Sequence, residues 1–168
     1  MNAAVWLGAA VFFTVGAGPA LFSPDMRRLV GENNFPYFSG AIDQIVLTRY
    51  FHLQLACGIV ALLHLLAEWL YLGRPARKFS LSLVVGLLAL ALIGGKGLQP
   101  GLKEFHRRQY AVNVPPAQRE AAAKSFRMYD IAWQFVNLVM LGGLVVYVWR
   151  VANPSDTLRF VSPVKFRG

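Results

Sequence analysis

One cysteine, three histidines and eight acidic residues are all that 168 residues offer of the side chains from which most site chemistry is built. Cys57 has no second thiol to pair with, so no intrachain disulfide exists and the redox compartment is unmarked; inside an apolar block it reads as a small packing residue. No Gly-rich phosphate loop, nucleophile elbow or zinc-protease signature is present. Ala17-Gly18-Pro19-Ala20 and Gly94-Gly95-Lys96-Gly97 are glycine-rich, but the second lacks the Ser or Thr that follows the lysine of a nucleotide loop. Both read as close-packing or helix-end features. Charge is scarce too, with 15% charged residues against the roughly 25% of soluble domains.

What the chain has instead is apolar length. Hydrophobic residues make up 56% of it, the mean hydropathy is +0.45, and these residues are gathered into long blocks rather than spread at helical or strand spacing. Blocks near ~20 residues cross the ~30 Å hydrocarbon core as helices, and four can be drawn: about 3–22, 45–72, 81–98 and 128–151. The first lacks the basic leader of a signal peptide and is long enough to span, so it counts as retained. The expected fold is all-α, an integral membrane four-helix bundle over residues 1–152, followed by an extended basic tail, 153–168, on the surface or on a partner. Val30 to Gly40, with Gly31, Asn33, Asn34 and Pro36, has the turn chemistry of a surface loop. Gly73-Arg74-Pro75 should stop the second span, and Pro100 should follow the end of the third. Ala117 to Lys124 holds enough helix formers to extend the fourth outward.

The net charge of +9 comes from 17 Lys and Arg placed almost wholly between or after the blocks, where they meet lipid headgroups. The partner this charge points to is the bilayer, and no nucleic acid is expected. Four spans put both termini on one side. That side carries Arg74, Arg77, Lys78, Arg150, Arg159, Lys165 and Arg167; the other carries Arg27, Arg28, Arg49, Lys103, Arg107, Arg108, Arg119, Lys124 and Arg127. The balance sets no orientation. Trp6, Trp69, Tyr71, Tyr147 and Trp149 form an expected interfacial belt on the terminal side. The chain also rhymes with itself: Pro24-Asp25-Met26-Arg27-Arg28 with Pro100-Gly101-Leu102-Lys103-Glu104, and Arg49-Tyr50-Phe51-His52 with Lys124-Ser125-Phe126-Arg127. Two repeated helical hairpins is a reading this leaves open.

A charged side chain at mid-helix costs ~2.5–3.5 kcal/mol on insertion scales unless it finds a partner or a water-filled cavity, so polar residues inside the blocks are the informative ones. Gln54, Cys57, Ala61, His64 and Glu68 recur at steps of three and four in the second span, as do Arg127, Asp130, Gln134 and Asn137 in the fourth. The third offers Ser82, Gly86, Ala89 and Lys96, and the first Gly8, Ala10, Thr14, Ala17 and Gly18. The expectation is a polar seam of Gln54, His64, Glu68, Lys96, Asp130, Gln134 and Asn137, turned inward, with Leu, Val and Phe facing lipid. Lys96 and Asp130 should lie at similar depth and pair. His64 and Glu68, one turn apart, form an interhelical hydrogen-bonding pair or the start of a ligand set. His52 and His64 are the candidate haem or metal ligands. A bis-histidine haem needs two facing imidazoles and a metal three or four convergent ligands, so no cofactor is expected, with haem b the alternative.

Gly16 to Asp25 closing the first span, Arg49-Tyr50-Phe51-His52 opening the second, Pro100 after the third and Phe126 to Asn137 opening the fourth give the chain an order of parts. In this it resembles the small four-helix membrane proteins of the transmembrane-protein-205-like group, whose bacterial members carry a domain of unknown function. The resemblance covers residues 1 to about 150, and departs from the group where Tyr129 and Asp130 stand in place of a histidine-rich helix opening. It implies membrane residence, with the bacterial cytoplasmic membrane as the expected location, and no reaction. The function expected is that of a non-enzymatic accessory or structural subunit docked on other membrane-protein subunits. The alternatives are a small transporter or a proton or ion pathway along the seam, and a haem- or metal-binding redox subunit.

Overall fold

The computed structural model describes residues 1–72 and 78–153. The basic turn at Arg74 and Arg77 and all but the first residue of the expected tail lie outside the described residues. Five helices follow in order: α1 (Asn2–Leu21), α2 (Pro24–Val30), α3 (Phe35–Leu72), α4 (Lys78–Gln109) and α5 (Pro116–Ala152). Four of them, all but α2, are long and apolar enough to cross a membrane. The architecture is an all-α helical bundle, with no strand among the described residues. In it α1 and α4 each pack against both α3 and α5, closing a ring.

The helices run further than the turn residues suggested. α3 begins at Phe35, so the second half of the expected Val30–Gly40 loop is helical. Pro36 falls in the first turn, where its missing N–H would be unpaired anyway. Likewise α4 continues through Pro100 and Gly101 to Gln109. The reason lies just upstream: residues Ile93–Leu98 form a π turn, as do Phe12–Ala17 ahead of Pro19 in α1. A π turn shifts the backbone ladder by one residue, which accommodates the bond a proline cannot make and the ring that would crowd the preceding turn.

These two turns expose a repeat, in a register other than the one the sequence rhyme proposed. Trp6, Ala10 and Phe13 are buried in α1, and Leu87, Ala91 and Gly94 in α4, at the same spacing and the same distance before Pro19 and Pro100. Tyr50, Gln54, Cys57 and Ala61 of α3 are matched in the same way by Trp133, Asn137, Met140 and Leu144 of α5. The bundle is thus two helical hairpins of like direction, and their shared buried positions meet in one core.

Candidate functional site

The polar groups of this bundle fall into three tiers along its length. The middle tier ties three helices together and, among the described residues, leaves one buried donor, Gln54 Nε2, without a partner. Tyr50 donates its hydroxyl to Asn137 Oδ1 (2.9 Å), Asn137 Nδ2 donates to Thr14 Oγ1 (2.9 Å), and Thr14 donates to the Ala10 carbonyl (2.7 Å). The chain of donors therefore crosses from α3 to α5 to α1 and ends on backbone. Beside it Trp6 Nε1 donates to Gln54 Oε1. Phe13 stacks on Tyr50 at 4.3 Å between ring centres, and Trp133 meets both edge-on. In lipid such interhelical bonds tie helices that the hydrophobic effect alone does not hold together.

The tier away from the termini is covered by the chain itself. Thr48 donates to the Gln44 carbonyl (2.7 Å) and accepts from Gln99 Nε2 of α4 (2.6 Å). His106, near the end of α4, is buried, and its Nε2 lies 3.1 Å from the Tyr37 carbonyl. A carbonyl only accepts, so Nε2 carries the proton. The ring is boxed by Tyr37, Tyr110 and Phe126 at 5.8, 5.0 and 5.7 Å and rests on Gly40, where a Cβ would overlap it. Burial raises the pKa of the Tyr110 phenol above the ordinary tyrosine value. Asp43 of α3 and Asp130 of α5 are both half-buried.

At the terminal end the cover stops. Asn2 Nδ2 donates to the Cys57 carbonyl at 2.8 Å, so the first turn of α1 is level with Cys57. The polar stripe of α3 continues past it: His64 and Glu68 lie about 10 and 16 Å further along the helix axis. Their side chains are 72% and 48% exposed, joined to each other at 3.3 Å (Nε2 to Oε1). The apolar neighbours Leu63, Leu66 and Trp69 are exposed around them.

The inward seam expected from the sequence is thus kept only in part. Gln54 and Asn137 are buried and Asp130 half-buried, whereas His64, Glu68, Gln134 and Lys96 are exposed. His64 and Glu68 occupy the expected stripe, but α3 outlasts the helix that covers it. Gln134 turns back along α5 and donates to Asp130 Oδ2 (2.8 Å). α4 differs from expectation in rotation: it buries Val84, Leu87, Ala91 and Gly94, leaving Ser82, Gly86, Ala89 and Lys96 outside. Consequently no ion pair joins Lys96 to Asp130 among the described residues. Two members of the expected belt, Trp6 and Tyr147, are core residues packed edge-to-face at 6.0 Å, while Trp69, Tyr71 and Trp149 are exposed.

His52 and His64 both lie on the outer surface of α3, and no three His, Cys, Asp or Glu side chains converge among the described residues. Sequence reasoning missed His106 by placing it in a polar loop beyond the third span. The three-four step of Gln99, Leu102 and His106, all buried, was the signal available.

Four apolar helices around a buried polar core define an integral membrane protein of the polytopic helix-bundle class. Residues 1–111 match the family described as Domain of unknown function (DUF4149), and the chain belongs to that family. The match ends just past α4, leaving α5 beyond it. No curated protein and no solved structure matches the chain.

Proposed function

We propose that this protein is a non-enzymatic subunit of a larger membrane complex, docked through the terminal half of α3, with a partner's transmembrane helix covering His64 and Glu68. One observation carries the reading: an ionisable pair stands exposed on an otherwise apolar, lipid-facing surface. Groups of this kind cost ~2.5–3.5 kcal/mol at mid-helix and less towards the helix end where this pair stands, and the usual remedy is another polar group brought by a neighbouring helix. The middle tier supports the same reading, since its Tyr50, Asn137 and Thr14 donors hold helices together. The finer likeness to the transmembrane-protein-205-like group, and residence in a bacterial cytoplasmic membrane, belong to this proposal. Extraction in mild detergent followed by a native gel tests it. The expected result is migration with co-purifying membrane subunits; a lone monodisperse protomer under every mild detergent contradicts it.

A second reading, a proton or ion pathway along the seam, is favoured by the Tyr50–Asn137–Thr14 line of hydrogen bonds across the bundle, with half-buried Asp130 two turns before Asn137 on the same face of α5. Reconstituted vesicles that develop a pH or ion flux abolished by Asp130→Asn would support it; flux no greater than that of empty vesicles would remove it.

A further inference from the structure

The end of the bundle away from the termini holds a feature that neither the seam nor the docking face uses. A cleft of about 650 Å³ opens between the last turns of α4, the turn after it and the first turns of α5. Glu104, Arg107, Arg108, Val114, Ala121 and Ser125 are among its lining residues. Glu104 acts as a clamp. It accepts from Arg107 Nε and Nη2 at 3.1 and 3.0 Å and from Arg108 Nε at 2.6 Å, holding two guanidinium groups at one carboxylate. Both arginines stay exposed, with N–H groups left over. Arg119 fixes the outer wall by donating to the Val114 and Val112 carbonyls (2.8 and 2.6 Å).

We propose that this cleft binds a phosphate-bearing anion, the headgroup phosphate of an anionic lipid, between Arg107 and Arg108. Paired guanidinium groups match phosphate oxygens in charge and in planar geometry. The depth is right as well. Arg107 and Arg108 are rooted about 14–15 Å beyond Leu98, where the apolar run of α4 ends, and their bonds to Glu104 draw the guanidinium groups back towards its level, about 9 Å beyond Leu98. The headgroup layer is about 5–8 Å thick on each side, and arginine stems are long enough to reach back into it. A lipid is favoured over a soluble phosphate because the wall is continuous with lipid-facing surface. Ala121 and Ser125 line the cleft, and exposed Met128 extends that helix face towards the hydrocarbon, offering acyl chains a path.

The test uses the full chain reconstituted in phosphatidylcholine bilayers with a minor fraction of phosphatidylglycerol, then released for native mass spectrometry. Phosphatidylglycerol should be retained above its share in the bilayer, and Arg107→Gln/Arg108→Gln should lower that retention about thirtyfold, on the scale expected for two cations at a membrane surface. Glu104→Gln raises the net positive charge yet should also lower retention, because it releases the clamp. Lys124→Gln, outside the cleft, should retain as the parent does. Should the double variant fail to fold, Arg108→Gln alone and Glu104→Gln give the same reading. No preference in the parent, an unchanged preference in the arginine variants, or a gain in Glu104→Gln overturns the proposal. In a second arm, saturable binding of inorganic phosphate by lipid-free protein, lost in the arginine variants and unaccompanied by lipid preference, overturns the lipid assignment.

Discussion

The two ends of α3 treat the same kind of residue in opposite ways. At the end away from the termini its polar groups are roofed by the chain: Thr48 meets Gln99, Ser39 and Gln44 are buried, and Gly40 lies flat under the boxed ring of His106. At the terminal end the same helix presents His64 and Glu68 largely exposed and joined to each other, because α1 begins level with Cys57. One helix with uniform apolar character is thus finished at one end and unfinished at the other. A membrane protein that folds alone has reason to complete both; in the docking we propose, the open end is where the partner fits.

The comparison can be broken most severely at the covered end. Gly40→Val places a branched side chain into His106, which Tyr37, Tyr110 and Phe126 keep from moving aside. A loss of about 2–3 kcal/mol is expected from such overpacking, read as a lowered thermal midpoint in detergent. No change would mean that the roof is loose. Next comes the shared middle. Asn137→Leu strands the Tyr50 hydroxyl and should cost about 1–2 kcal/mol. Adding Tyr50→Phe should then cost little more, since the two act through one bond; full additivity of the two substitutions would deny the coupling. Gly86→Ala sharpens the contrast from the other side. Nothing stands within 4 Å of a Cβ there, so the exposed helix should gain about 0.5–1 kcal/mol from the exchange. The smallest effect is expected at the open end. His64→Leu with Glu68→Leu should alter the isolated protomer by about 0–1 kcal/mol, as for an exposed pair, while abolishing co-purification of partners. A large loss in the isolated protomer would make the pair a structural tie of this chain.

The number of spans was legible because lipid demands apolar length, and each long helix contains its expected block. Where helices end was less so. Pro36 and Gly40 have turn chemistry, yet one sits harmlessly in a first turn and the other is small because His106 needs the room. The polar stripe of α3 is buried at Gln54, Cys57 and Ala61 and exposed at His64, since periodicity reports a face but not where its covering helix stops. On α4 the stripe through Ser82, Gly86 and Ala89 picked small residues as the packing face, whereas Val84 and Leu87 fill the core. The π turn at Ile93–Leu98 then shifts the face once more around Lys96. Such a turn leaves no mark in a three-four pattern that assumes an unbroken α-helix.

Site-specific photocrosslinking in native membranes is the most direct measure of the docked-subunit account. A photoreactive residue placed at position 64 should give a discrete adduct with another membrane protein. The same residue at position 135, on the exposed outer face of α5, should give lipid adducts alone. Lipid adducts alone at both positions would contradict the account.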